Sequence, residues 1–202
     1  FFWSTENSTD FSATFPDNVR GLGRSFLSNP VEITVESEHS DTVISQKFYS
    51  IERGKKNAAI IELLARHKPE STIIFCNTKD ACRRVRAELN KKGLHSLALH
   101  GDLEQRERTE TLIRFSNGSS RVLVATDVAA RGIDIDDLAM VINFDLPFET
   151  ETYVHRIGRT GRAGREGLAF SLMDSGEEFR LDDINEYMDT EYDPQFPDFE
   201  YH

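Results

Sequence analysis

The pattern of apolar and polar positions becomes regular from Val43 onward. Short apolar runs predict strands at residues 43–50, 72–76, 96–99, 122–125, 140–143 and 168–172. Helical spacing between these runs predicts helices at 55–66, 79–91, 103–115, 149–154 and 177–188, with Gly93 and Gly118 as stops. Several of the runs are continuously apolar, which is typical of strands buried on both faces. The alternation predicts an α/β fold whose parallel sheet is covered by helices on both sides.

The first 42 residues follow a different pattern. Residues 17–28 have apolar positions at helical spacing and end before a proline, residues 31–35 alternate as a strand does, and residues 36–42 are polar like a linker. A chain of 202 residues is long enough for one well-cored domain with attachments. We therefore expect an attachment at 1–42, a domain at 43–190 and a disordered acidic tail at 191–202.

Charge is distributed unevenly along the chain. The formal net charge is −11, but residues 174–202 contain eleven acidic residues and one arginine, so the remainder is nearly neutral and can carry a local basic patch. No apolar run approaches the roughly 20 residues needed to cross a bilayer, and there is no signal-peptide pattern, so we expect a cytoplasmic protein. Cys76 and Cys82 form no C-x-x-C pair, and we expect neither a zinc site nor a disulfide framework.

The most distinctive candidate chemistry lies between residues 155 and 167. Arginines recur there at every third position, and glycines fall between them with the same period: Arg156, Arg159, Arg162 and Arg165, with Gly158, Gly161, Gly164 and Gly167. Guanidinium groups hold phosphate oxygens in pairs, and glycine lets a backbone approach a ligand closely. A solvated basic helix face is the alternative, but each glycine costs a helix about 1 kcal/mol relative to alanine. The pattern favours a loop that presents arginines to a polyphosphate.

Polar residues follow three of the predicted strands. Ligands in parallel sheets bind beyond the carboxyl ends of the strands, where helix N-termini also attract phosphate. These residues therefore predict contacts to a nucleic-acid backbone without base reading. The set comprises Asn77, Thr78, Gly101, Gln105, Arg108 and Thr126. Taken singly, such residues can be ordinary caps, and Thr78 and Asp102 are candidate N-caps.

The phosphate-binding loop of nucleotidases has the pattern G-x-x-x-x-G-K-[S/T], and it does not occur in this sequence. Gly54-Lys55-Lys56 lacks both the upstream glycine and the hydroxyl residue. No acidic pair after a strand suggests a magnesium site. The arginine segment is therefore expected to be half of a site whose other half lies outside this chain.

Five ordered motifs resemble those of DEAD-box RNA helicases. They are SAT at 12–14, IFCNT at 74–78, HGDLEQRER at 100–108, ATDVAARGID at 125–134 and HRIGRTGRAG at 155–164. The similarity covers roughly residues 11–188 and is greatest to bacterial members, including the DbpA type. It implies a RecA-like three-layer α/β/α sandwich with a mostly parallel sheet, the second domain of such a helicase. Residues 1–42 would then be a remnant of the first domain with the interdomain linker.

The resemblance also implies roles for individual residues. Arg159 and Arg162 would reach the γ-phosphate of ATP as arginine fingers, while His155 and Arg156 would couple the site to the interdomain contact. Gly132 and Asp134 would bind ATP, Asp134 through the ribose hydroxyls. Ser12 and Thr14 would couple the two domains. RNA phosphates and sugars would contact Asn77 or Thr78, Gly101, Gln105, Arg108 and Thr126.

ATP and Mg²⁺ would be held mainly by the missing N-terminal domain, and no metal is expected on this chain. We accordingly expect RNA-stimulated ATP hydrolysis and local unwinding of duplex by the parent helicase, but no appreciable ATPase activity from this chain alone. The expected partners are RNA and the N-terminal RecA-like domain. Two alternatives stay open: a non-catalytic RNA- or protein-binding module, and a RecA-like domain of another translocase. Exchange of residues 1–35 in a domain-swapped dimer also stays open.

Overall fold

The computed structural model describes residues 44–133, 135–161, 165–174 and 176–197. Strands and helices alternate along them: β1 (Ile44–Ser50), α1 (Lys56–His67), β2 (Thr72–Cys76), α2 (Lys79–Lys91), β3 (Ser96–Leu99), α3 (Gln105–Ser116), β4 (Val122–Thr126), α4 (Asp127–Ala130), β5 (Met140–Asn143), α5 (Thr150–Ile157), β6 (Gly167–Met173), α6 (Glu178–Met188) and β7 (Pro194–Gln195). The expected first-domain remnant at 1–42, with Ser12 and Thr14, lies outside the described residues.

The strands form one sheet in the order β3-β4-β2-β5-β6-β1-β7, and all the strand pairs of the described residues are parallel. Strands β2, β4 and β5 occupy its middle and are buried along their whole length. This confirms the parallel sheet predicted from the continuous apolar runs.

Helices cover both faces of the sheet, because successive strand side chains point to opposite sides. Ile74 and Cys76 of β2 pack in a cluster with α1 and α2, whereas Ile73 and Phe75 pack in a second cluster with α3 and α4. A third cluster joins β1 and β6 to α5 and α6. The three-layer α/β/α sandwich is therefore confirmed.

The predicted helix stops are observed, and one predicted N-cap is wrong. Gly93 and Gly118 follow α2 and α3 with φ of 78° and 75°, a backbone region that favours glycine. Helix α3 begins later than predicted because Glu104 is its N-cap and forms a capping box with Glu107. Asp102, expected as an N-cap, instead pairs with side chains of α2.

The acidic tail was expected to be disordered over 191–202, and residues 191–197 correct that expectation. The side chain of Asn185 exchanges two hydrogen bonds of 2.9 Å with the backbone of Tyr192. The Tyr192 ring lies 5.3 Å from the ring of Phe48, and β7 then pairs with β1 at the sheet edge. These contacts order the segment despite its acidic composition. None of the helices in the described part of the chain is long and apolar enough to cross a membrane.

Candidate nucleotide and nucleic-acid site

The carboxyl ends of the parallel strands bring the predicted site residues to one rim of the sheet. Cys76 is the register partner of Thr126, and Leu99 is the partner of Ala125. The loops after β2, β3 and β4 therefore leave the sheet side by side. The prediction that these three loops share a rim is confirmed by this register.

Arg156 lies at the centre of this rim and is almost fully buried, with 1% of its surface exposed. Its Nε and Nη2 donate to the two carboxylate oxygens of Asp127, each at 2.7 Å. Nη1 donates to Asn143 Oδ1 at 3.2 Å and to the backbone oxygen of Asp145 at 2.7 Å, and Nη2 also donates to Asn77 Oδ1 at 2.9 Å. All five N–H donors of the guanidinium are thus used.

This network shows that the first part of the arginine-rich segment, residues 155–167, is helical and buried at Arg156. Residues 155–157 belong to α5, but Arg156 faces the protein interior rather than solvent, so neither a basic surface helix nor a simple loop describes it. Because its donors are all occupied, Arg156 has none left for a nucleotide. The network ties the ends of β2, β4 and β5 together through one cation.

Arg159 lies where α5 has ended and the chain turns. Gly158 caps the helix, and the Arg159 side chain is 25% exposed. Its Nη1 donates to Asp136 Oδ1 at 3.0 Å and to the Ile133 oxygen at 3.2 Å. Among the described residues, no hydrogen bond or ion pair uses its Nε or Nη2, so those donors remain for a ligand. Arg162 and Asp134, the other expected ATP-binding residues of this region, lie outside the described residues.

An open cleft of about 460 Å³ adjoins Arg159. Its lining includes Phe75, Asp127, Ala130, Arg131, Gly132, Glu149, Glu151, Thr152, His155 and Arg156. Gly132 has a φ of 69°, and no atom beyond its chain neighbours lies within 4 Å of the position where a side chain would begin. His155 is exposed and lies 3.6 Å from the carboxylate of Glu151. The cleft thus combines an arginine with spare donors and an uncovered glycine backbone, which suits a phosphate group.

Two glycines of the segment have a packing role that the sequence analysis did not anticipate. Gly161 has a φ of 71°, and a methyl group added there would lie 2.7 Å from Ile44 Cγ1. A methyl group at Gly167 would collide with the backbone of Gly161 and with the Thr160 hydroxyl. These glycines let the segment lie directly on β1 and β6. The structure thus gives these two glycines a packing role within the protein, beside the close approach to a ligand that was expected for the segment.

The residues expected to contact RNA differ in accessibility. Thr78, Gly101 and Gln105 are exposed, and Thr78 is also the N-cap of α2, accepting from the Ala81 N–H at 3.1 Å. Asn77 is committed to protein contacts with Asp145, Leu146 and Arg156, so Thr78 is the more accessible of that pair.

Two further expected RNA residues are also engaged by the protein. Arg108 is half-buried and donates to the Ala129 oxygen. Thr126 is buried and occupies the N-cap position of α4, so it offers little surface for direct contact with RNA.

A charged cluster beside Gly101 was missed by the sequence analysis. Lys79 Nζ lies 3.0 Å from one carboxylate oxygen of Asp102, and Arg83 donates to the other. The hydrogen bonds from Lys79 and then Arg83 hold the pKa of Asp102 below its usual value. The sequence does contain a signal for this cluster. Lys79 and Arg83 are four residues apart at the start of a predicted helix, a spacing that places both cations on one face. Within the described residues, no group of three or more His, Cys, Asp or Glu side chains is placed to hold a metal ion.

Comparison with known proteins places this geometry in context. The model of the helicase conserved C-terminal domain matches residues 55–164. The chain is 45% identical over 187 residues to the ATP-dependent RNA helicase DbpA of Escherichia coli, covering 93% of this chain and 41% of that relative. It therefore spans about two fifths of the length of this curated relative.

Two solved structures are also similar. E. coli DEAD-box protein SrmB bound to regulator of ribonuclease activity A has a TM-score of 0.72 and 35% identity, covering 77% of this chain and 92% of that chain. S. cerevisiae Dbp5 bound to RNA and ADP BeF3 has a TM-score of 0.77 and 35% identity, covering 93% and 51%.

Proposed function

The chain belongs to the helicase conserved C-terminal domain family, in the form found in DEAD-box RNA helicases, and we propose that it supplies the second RecA-like lobe of an ATP-dependent RNA helicase. In this proposal residues 43–190 form that lobe and residues 1–42 are a remnant of the first lobe. The N-terminal RecA-like domain of the parent protein holds ATP and Mg²⁺. Hydrolysis requires both lobes, so this chain alone does not turn over ATP.

The observation that carries the proposal is the state of Arg159. One nitrogen of its guanidinium is anchored by Asp136, Nε and Nη2 donate no hydrogen bond among the described residues, and the residue lines an open cleft. A fixed guanidinium with spare donors suits an arginine finger, which stabilises negative charge spread over a transferred phosphoryl group. Such a residue contributes about 10³ to 10⁵ in rate in phosphoryl transfer. We assign the same role to Arg162, and we propose that Asp134 and Gly132 bind the nucleotide.

Arg156 is proposed as a positioning residue rather than one that contacts the nucleotide. It binds Asn77 after β2 and Asp127 after β4, where RNA contacts are expected, and it precedes Arg159 by less than one helical turn. A change in the loops that are proposed to contact RNA would therefore be transmitted to Arg159 through the Arg156 side chain. His155, exposed on the cleft, is proposed to meet the opposing lobe.

RNA binding is proposed at the rim formed by the loops after β2, β3 and β4. Thr78, Gly101 and Gln105 supply accessible contacts to phosphate and sugar, and Arg108 and Thr126 support the loops from behind. Lys79 and Arg83 add positive charge beside Gly101. Contacts of this kind hold a nucleic-acid strand without reading its bases.

Reconstitution tests the proposal. The chain is mixed with the separately expressed N-terminal RecA-like domain of E. coli DbpA, ATP and RNA, and phosphate release is measured. We expect RNA-stimulated hydrolysis in the mixture, none from the chain alone, and a loss of about 10³-fold or more in Arg159→Ala. Arg165→Ala is the matched control, because this exposed arginine shares the same three-residue period. Unchanged hydrolysis in Arg159→Ala would instead favour a non-catalytic binding module.

A further inference from the structure

Helix α6 exposes a face that bears two aromatic rings and three carboxylates. The exposed residues recur at helical spacing, opposite the buried Leu181 and Ile184: Phe179, Asp182, Asp183, Glu186 and Tyr187. Phe179 and Tyr187 are each 56% exposed. They are eight positions apart along the helix, which is about 12 Å along its axis. We call this surface the α6 face.

A third exposed ring extends the face at the end where α6 begins. Phe148 is 72% exposed, and the Arg180 guanidinium carbon lies 4.7 Å from the centre of its ring and 5.2 Å from that of Phe179. Arg180 Nη1 also donates to the Pro147 oxygen at 3.2 Å. A cation stacked on two rings holds both in place. The apolar end of the α6 face is therefore a group of exposed rings joined through one cation, and grouped exposed rings of this kind mark interaction sites.

The charge of the α6 face determines which class of partner fits it. Among the described residues, the carboxylates of Asp182, Asp183 and Glu186 have no ion-pair or hydrogen-bond partner. Residues 174–202 contain eleven acidic residues and a single arginine, and that arginine is Arg180, already stacked on two rings. Such a surface repels phosphate and attracts lysine and arginine. Complementarity therefore selects a cationic partner and disfavours RNA.

We propose that the α6 face binds a lysine- or arginine-rich protein segment that carries apolar anchors about 12 Å apart, which is just over two turns of helix. One anchor packs against Phe148 and Phe179, the other packs against Tyr187, and the cations between them pair with the three carboxylates. No α6 residue lines the cleft beside Arg159. This inference therefore uses none of the residues of the arginine-finger assignment and does not depend on it.

The probe for the test is a fluorescein-labelled, 14-residue amphipathic peptide of lysine and leucine with a tryptophan near each end, titrated with the full chain in fluorescence anisotropy. We expect the peptide affinity to fall as the salt concentration rises from about 50 to 300 mM, because salt screens the attraction between the carboxylates and the lysines. Phe179→Ala and the double variant Asp182→Asn, Asp183→Asn should each weaken it about tenfold. A matched peptide with glutamate in place of lysine should not bind.

The controls lie on another exposed helix face. Ile113 on α3 is 58% exposed, so Ile113→Ala removes a comparable apolar group. Glu110→Gln removes an exposed carboxylate that lies 3.9 Å from Arg114 on the same helix, and both variants should leave the affinity unchanged. Thermal melting by circular dichroism verifies that every variant is folded. Equal peptide affinity in Phe179→Ala and Ile113→Ala would overturn the proposal.

Two other occupants are outcomes of the same experiment. If the affinity for a labelled single-stranded RNA fell in Phe179→Ala while peptide binding did not, the face would be a nucleic-acid surface and the proposal would be wrong. A dimer in sedimentation velocity that dissociates in Phe179→Ala but persists in Ile113→Ala would identify a second copy of the chain as the occupant, and would also overturn it.

Discussion

Replacing Arg156 by alanine should lower the free energy of unfolding by about 3–5 kcal/mol, the range for breaking a buried ion pair by removing one partner. The substitution removes five hydrogen bonds and leaves the Asp127 carboxylate, with 23% of its side chain exposed, facing a void. The amide oxygens of Asn77 and Asn143 lose this donor as well. Each buried acceptor left unpaired costs about 1–3 kcal/mol, and water reaching Asp127 offsets part of the total.

Urea unfolding followed by far-ultraviolet circular dichroism measures this loss. Against a total stability of about 5–15 kcal/mol for a domain, the midpoint shift will be large. Arg156→Lys should fall between the wild type and alanine, because one ammonium cannot span both oxygens of Asp127 and still reach two amides. His155→Ala changes the exposed neighbour and should stay within about 0.5 kcal/mol of the wild type.

Two results would refute the reasoning. A loss below about 1 kcal/mol in Arg156→Ala would mean that water or neighbouring groups satisfy the network equally well. Wild-type stability in Arg156→Lys would mean that charge alone, and not the planar fork, holds the three strand ends together.

Three further predictions concern packing, reactivity and pH. Gly167→Ala should lower the melting temperature, since its methyl group collides with the Gly161 backbone, whereas Gly101→Ala, which meets open space, should not. Both cysteine thiols are buried, and burial raises the pKa of Cys82 to about 11, so a thiol reagent should label neither until denaturant is added. Burial, then the charge of Arg83, lowers the pKa of His100 below its ordinary 6.5, so this ring contributes stability that is complete above that pH and is lost as pH falls through the lowered value. Denaturant melts of His100→Asn between about pH 7.5 and 5 should show a weaker pH dependence than the wild type.

The regular part of the fold was predictable because its determinants are local. The run Thr72–Cys76 is apolar at nearly every position, so a strand buried on both faces follows from the sequence itself. Gly93 and Gly118 end their helices through backbone conformations that do not depend on distant contacts. Parallel pairing of the predicted strands then predicts that the three polar loops lie on one rim of the sheet.

Features that depend on contacts distant in sequence were not predictable in this way. Strand β7 contains a proline and a glutamine, and neither residue type suggests a strand. Its position follows from Tyr192 packing on Phe48, a contact between the two ends of the domain. Asp102 was expected to be a helix N-cap because it directly precedes the predicted helix at 103–115. Its carboxylate instead pairs with two cations from α2. In each case the deciding partner lies on another element.

The three-residue period of the arginines is the clearest case in which an accurate pattern concealed two different roles. Sequence spacing treats Arg156 and Arg159 alike, yet α5 ends at Ile157 between them. Arg156, still on the helix, turns into the core and uses every donor. Arg159, on the following turn, lines the cleft, anchors one nitrogen on Asp136 and donates no hydrogen bond from Nε or Nη2 among the described residues. The first residue can act only by holding strand ends in place, and the second can meet a ligand. The end of one short helix therefore separates a structural cation from the candidate for transition-state stabilisation.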